Sequence, residues 1–301
     1  MSSLFNRLVV ASIPLVPKPI VRYFARPYIA GESLADALNT IRDINRLGAM
    51  ATCDLLGEFI TEKSQATRDL EELKNLIRAI HQEKLNSNVS VKPTQMGLLL
   101  DEEFAYSNIR ELVQLASQTG NFIRIDMEDS ACTQKEIDLY LRLKKEFSNV
   151  GLVIQAYLKR TNADIDLLVK ENANLRLCKG IYREPAEIAI HDREAIRASF
   201  LRQVEQMFIH NCYVGVATHD EYLVNATIEL VKKHQVRKEA FEFQMLLGVL
   251  PALRDRILSE GYRLRIYVPY GKQWYGYSTR RFKENPEIAG YVAKAILGIR
   301  K

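Results

Sequence analysis

Cysteine is scarce: Cys53, Cys132, Cys178 and Cys212 lie far apart in 301 residues, with no CxxC pair and no histidine at ligand spacing. That pattern argues against a zinc site or other metal centre and for scattered buried thiols in a reducing compartment. The apolar run LVVASIPLVP over residues 8–17 falls well short of the ~20 residues a membrane span needs, and prolines break it. Its small residues make a poor cleavage pattern for a secretory signal, so the chain reads as cytoplasmic. Glycine-rich phosphate loops are missing too. Neither GxGxxG after a strand nor GxxxxGK[ST] occurs, which argues against a Rossmann-bound dinucleotide or a P-loop nucleotide. Nor do the basic residues gather in one stripe. The 42 Lys and Arg alternate with 37 Asp and Glu, for a net charge of +5, and this argues against nucleic acid as a partner. Such mild basicity suits a small anionic ligand or an acidic membrane surface equally well.

What is present is a recurring alternation. With 47% hydrophobic residues the chain can bury a large core. Strand-like runs rich in Val, Ile, Phe and Tyr occupy residues 51–58, 88–95, 122–128, 150–158, 175–180, 213–220, 240–246 and 264–271. The first of these suits a helix as well. Between them lie helical patterns. One puts Leu70, Leu73, Ile77 and Ile80 on a single face, and another opens with a capping-box pattern, Thr133 with Glu136. Eight strand–helix units in about 250 residues predict an α/β fold, a (β/α)8 barrel, with an open doubly wound sheet as the alternative. Residues 46–301 would form the barrel and residues 1–45 a helical arm outside the repeat.

In a barrel, chemistry sits where strands end. The ends here carry Lys92 and Gln95, Asp126 and Glu128, Gln155 and Tyr157, then Arg176, Lys179 and Tyr182. Thr218, His219 and Asp220, Glu242 and Gln244, and Tyr267 and Tyr270 complete the set. Charges in β-type runs are costly to bury unless paired, so this pattern predicts a polar pocket lined by paired charges. Past the last run, YSTRRFKEN sets Tyr277, Arg280, Arg281 and Glu284 three or four apart, on one side of a helix. An Arg280–Glu284 surface pair is one reading. A guanidinium fork for a carboxylate is the other.

The motifs YIAGES, D-LLGE from Asp54 to Glu58, SVKPTQMGL, RIDMED, LRLCKGIY, ATHD, FEFQML and YVPYG followed by Y-TRRFKEN occur in order along the chain. In this the sequence resembles the short, monofunctional bacterial proline dehydrogenases, from about residue 28 to residue 300. The resemblance implies a distorted (β/α)8 barrel holding FAD without a covalent bond. It also implies oxidation of L-proline to Δ1-pyrroline-5-carboxylate, by hydride transfer to flavin N5, with electrons passed to membrane quinone. For the substrate it implies Arg280 and Arg281 clamping the carboxylate, Lys92 in contact, and Tyr182, Tyr267 and Tyr277 walling the ring. Tyr277 is missing from relatives that favour 4-hydroxyproline, so its presence points to unmodified proline. Asp126, Arg176 and Lys92 are implied catalytic residues, with Arg176 also on the flavin. Met127, Gln155, Lys179, Gly180, Ile181, Thr218, His219 and Glu284 are implied flavin contacts. The match also covers Cys178, where aliphatic residues are usual.

Two other functions fit the residues taken alone. One is a barrel lyase using Lys92 or Lys179 as a Schiff-base nucleophile. The other is a non-catalytic scaffold that meets membranes through its basic face and apolar arm, LVVASIPLVPKPIV with Arg7, Lys18 and Arg22. Even in the enzyme that arm could serve as a peripheral contact with the bilayer that holds the quinone, or it could instead bury itself against the barrel or a second subunit.

Overall fold

A computed structural model of the protein describes residues 18–284, with side chains from 18 to 279 except that of Ile20. Eight short runs of branched and aromatic residues form strands: β1 (Met50–Leu55), β2 (Ser87–Val91), β3 (Ile123–Ile125), β4 (Val150–Gln155), β5 (Asn174–Cys178), β6 (Tyr213–Ala217), β7 (Phe241–Leu246) and β8 (Leu264–Tyr270). Each pairs in parallel with the next, and β8 pairs back onto β1. Closure of the ring rules out the open sheet. It also explains why the first run is a strand despite its mixed propensity: β1 is flanked by β2 and β8 and is buried along its whole length. Tertiary pairing overrides local preference there.

The sequence runs overshoot the strands. β2 stops at Val91 and β3 at Ile125, so Lys92, Asp126, Met127 and Glu128 stand in the loops just past the strand ends. Those loops are where a barrel collects its functional groups.

Outside the ring lie the helices. Those before and among the first strands are α1 (Lys18–Ala25), α2 (Leu34–Arg46), α3 (Lys63–Gln82), α4 (Glu102–Gln118) and α5 (Thr133–Glu146). They are followed by α6 (Thr161–Leu168), α7 (Arg193–Ile209), α8 (Glu221–Lys233), α9 (Pro251–Ser259) and α10 (Trp274–Glu284). The apolar face of α3 is the expected one, with Leu70, Leu73, Ile77 and Ile80 all buried. The start of α5 differs in chemistry. Cys132 is its N-cap, without a side-chain bond. Thr133 is the first helical residue, and its hydroxyl donates back to the Asp129 carbonyl at 3.4 Å. Glu136 instead accepts the Glu128 amide at 3.0 and 3.2 Å, so the capping-box acid is drawn into the loop after β3.

α2 opens with a capping box between Ser33 and Asp36 and packs Ala37, Leu38, Ile41 and Ile44 into the main core against β1 and β8. α1 belongs to a second, smaller core, in which Val21 and Ala25 meet Ile29, Leu56, Trp274 and Tyr277. It thereby braces α10, and Trp274 Nε1 adds a hydrogen bond to Glu32 at 3.0 Å.

Inside the ring, a hydrogen-bonded polar network replaces much of the branched aliphatic filling usual in such barrels. Arg124 Nη1 donates to the carbonyls of Asn174 at 2.7 Å and Leu152 at 3.2 Å. Arg265 Nε donates to Glu242 at 2.6 Å and its Nη1 to the Ala51 carbonyl at 2.7 Å. Arg265 is thereby ion-paired with Glu242, whereas Arg124 is held by neutral oxygens alone, and burial with the nearby charge of Arg176 pulls its pKa down to about 9.

Candidate active site

A cavity of about 840 Å³ opens over the C-terminal ends of the strands, within the range of small-molecule and cofactor sites. Its floor is a cluster of two cations and two carboxylates. Lys92 Nζ donates to both oxygens of Asp54 at 2.8 Å and to the Tyr267 hydroxyl at 3.3 Å, and stands 3.7 Å from Asp126. Asp126 accepts from Ser90 Oγ at 2.6 Å, Arg176 Nη1 at 2.8 Å and Tyr267 OH at 3.0 Å. The Arg176 guanidinium also lies 5.5 Å from the Tyr267 ring centroid.

Burial pulls the Lys92 ammonium toward neutrality, but the charges of Asp54 and Asp126 outweigh it and hold its pKa above the ordinary value. A Schiff-base nucleophile needs the opposite, a lysine released to its neutral form. Lys179 is paired as well, 2.6 Å from Asp220. Burial, with the two carboxylates nearby, drives the Tyr267 phenol well up, so it keeps its proton and donates a hydrogen bond to Asp126.

The walls come from β3 to β7. Met127 follows β3. Gln155 ends β4, where its Nε2 donates to the Glu128 carbonyl at 2.8 Å. After β5, Gly180 holds φ +110°, and a Cβ there would lie 2.1 Å from the Tyr157 ring, so only glycine fits. Cys178, Ile181 and Tyr182 line the cavity beside it, and burial pushes the Cys178 thiol up to about 11. After β6, Thr218 Oγ1 accepts the Asp220 amide at 3.1 Å. His219 Nε2 accepts the Leu246 amide at 2.8 Å, which places the proton of a neutral ring on Nδ1. Asp220 is gripped by Lys179 and by Arg197, whose two bonds are each 2.9 Å. Its burial favours the protonated form, but the two cations win and hold the carboxyl at about 2.

Tyr277 stands on α10 and borders both this cavity and a smaller one of about 250 Å³ shared with Leu56, Gly57, Glu58 and Lys92. The expected helix past β8 is α10, which runs from Trp274 to Glu284. The side chains of Arg280, Arg281 and Glu284 lie outside the described residues. Lys92, Asp126, Met127, Gln155, Arg176, Lys179, Gly180, Ile181, Tyr182, Thr218, His219, Tyr267 and Tyr277 all line the large cavity.

Three participants were missed as site residues. Asp54 binds Lys92 through both oxygens, Ser90 holds Asp126, and Glu58 lines both cavities. The signal for Asp54 was a carboxylate inside a buried run, which demands a cation. Glu128 is fully buried and lines the cavity. Burial raises its carboxyl to about 7 against two hydrogen bonds from Thr94 and the charge of Lys92.

The proline dehydrogenase family model matches residues 37–294. Proline dehydrogenase 1 of Bacillus subtilis is 40% identical over 276 residues, 92% of this chain and 91% of its own. Proline dehydrogenase of Deinococcus radiodurans is 36% identical over 278 residues, 91% of this chain and 90% of its own. In three dimensions, proline utilization A of Bdellovibrio bacteriovorus superposes with a TM-score of 0.81 over 87% of this chain and 32% of its own. At 24% identity that likeness speaks for the barrel alone. With the barrel closed, its strand ends converging on one charged cavity, and the family model spanning nearly all of the ring and its helices, the chain belongs to the proline dehydrogenase family.

Proposed function

We propose that this protein oxidises L-proline to Δ1-pyrroline-5-carboxylate, with FAD as the bound electron acceptor and a membrane quinone as the final one. The observation that carries the reading is the floor cluster of Lys92, Asp54, Asp126, Arg176 and Tyr267 beneath a cavity large enough for a flavin and a small imino acid. Flavin fits the residues present. Arg176 Nη2 and Gln155 Oε1 are buried on cavity-lining residues and have no hydrogen-bond partner among the described residues. They supply one donor and one acceptor, the complement of a flavin ring edge. Met127, Gln155, Arg176, Lys179, Gly180, Ile181, Thr218 and His219 would hold the cofactor, with Glu284 from α10. When bound, FAD supplies the hydride acceptor for the ring carbon beside the proline nitrogen.

The chain's own side chains do the rest. Arg176, pinned by Asp126, presents a permanent cation where negative charge develops. Lys92 stays an ammonium and adds positive charge for the substrate carboxylate, which Arg280 and Arg281 would clamp bidentately. Tyr182, Tyr267 and Tyr277 wall the pyrrolidine ring and exclude water. Asp126 fixes the orientation of both Arg176 and Tyr267.

The same proposal divides the chain into an arm over residues 1–45 and a catalytic barrel over 46–301, working in the cytoplasm with peripheral access to the membrane. No described helix is long and apolar enough to cross a bilayer. The apolar run over residues 8–17 lies outside the described residues.

The test is a visible spectrum of the purified protein before and after anaerobic L-proline. A yellow protein bleached by proline is expected. A colourless one that added FAD cannot restore overturns the proposal.

A further inference from the structure

Behind Arg176, on the side away from Asp126, runs a directed chain of hydrogen bonds. Arg176 Nε donates to Gln244 Oε1 at 2.6 Å, and Gln244 Nε2 donates to Glu242 Oε1 at 2.6 Å. Glu242 is fixed in turn by Arg265 at 2.6 and 3.1 Å and by the Tyr213 hydroxyl at 2.6 Å. Arg176, Gln244, Glu242 and Arg265 are all buried. An arginine offers only donors and a carboxylate only acceptors. The link between them must accept on one side and donate on the other, which an amide does and neither a carboxylate nor an aliphatic side chain can.

Room for that amide comes from Gly215. In the sheet register Gly215 lies between Arg176 on β5 and Glu242 on β7. A Cβ there would stand 2.4 Å from Gln244 Nε2. Gly215 is not among the glycines with positive φ, so it is required for space and not for backbone conformation.

With Nε on Gln244 and Nη1 on Asp126 and Ser90, two of the three guanidinium nitrogens are fixed, and the rigid plane sets the direction of the third, Nη2. We infer that Gln244, oriented by Glu242 and accommodated by Gly215, is the positioning residue that aims Arg176 at the flavin and so sets the reduction potential of the bound cofactor. This rests on the flavin reading of the cavity. Without Gln244, Arg176 is held from one side only and can turn about its stem, which weakens the stabilisation of the reduced ring's negative charge.

The test compares holoenzymes of wild type, Gln244→Ala, Gly215→Ala and the double variant. It reads flavin midpoint potential, the limiting rate of anaerobic flavin reduction, proline affinity from its saturation, and thermal melting. Each single variant is expected to lower the potential and slow reduction roughly ten- to hundredfold, with proline affinity changed by no more than about twofold. The double variant should match Gln244→Ala, because the new methyl then meets no amide. Gln244→Met, of similar volume, replaces Gln244→Ala if the latter does not fold. Wild-type potential and reduction rate in both single variants, despite lower melting temperatures, would reduce Gln244 to a packing residue and overturn the inference. So would simple additivity in the double variant. A wild type that carries no flavin sinks the underlying reading instead, before any variant is compared.

Discussion

At the scale of single residues, the floor cluster works because each charge is matched locally. Asp54 contributes one carboxylate and Asp126 the other, and between them Lys92 and Arg176 stay cationic. Asp54→Asn keeps the shape but leaves Lys92 with half its compensation. Removing one partner of a buried pair costs roughly 3–5 kcal/mol, so denaturant melts should show a loss of that order, and kcat/KM for proline should fall at least about tenfold. Unchanged stability and kinetics would mean that Lys92 has another anchor. Glu128 makes a prediction of opposite sign to most acids. Its carboxyl titrates near 7 when folded against 4.5 as a free side chain, so the folded state holds the extra proton. Stability from this group is full below pH 4.5 and is lost as the pH rises through about 7. Relative to Glu128→Gln, wild type should lose on the order of 3 kcal/mol across that window, read from urea melts at several pH values. Residues at strand ends were legible because a barrel gathers them. Asp54 was not, since its run suits helix or strand and its partner lies 38 positions along the chain.

At the scale of elements, the strands could be read from their branched and aromatic content but not their ends, because a barrel strand stops where its neighbours stop pairing. Amphipathic periodicity gave the buried face of α3 correctly, yet periodicity names no partner. Nothing in the sequence said that α1 would lie on α10, so the described part of the N-terminal arm turns out to spend its apolar face inside the protein. Because α10 carries Tyr277, loosening that contact should reach the cavity. Val21 is fully buried there and lines neither cavity. Val21→Ala removes two methyl groups, worth about 1.5 kcal/mol. The expected outcome is a lower melting temperature with proline KM raised severalfold and kcat little changed, measured by steady-state kinetics. A variant with lowered stability but unaltered KM would show that α10 holds its position unaided.

At the scale of the whole molecule, a barrel with a polar interior carries its specificity in hydrogen-bond geometry more than in aliphatic volume. The cavity faces one end only, and electrons must leave from there toward a quinone in the bilayer if the proposed acceptor is right. Truncation of residues 1–17 leaves α1 and its contact with α10 in place. If the apolar run provides the peripheral contact, the truncated protein should lose binding to vesicles of anionic lipid while still reducing a soluble dye with proline. Equal vesicle binding by both forms would move the contact to another surface.

Closure of the ring by β8 against β1, with α10 then settling on α1, joins the earliest described elements to the latest. A nascent chain halted before residue 264 therefore leaves two raw sheet edges, on β1 and β7, and no Tyr267 or Tyr277. The cavity is therefore complete only once β8 and α10 are in place, and until then the open edges of β1 and β7 are free to pair with other strands.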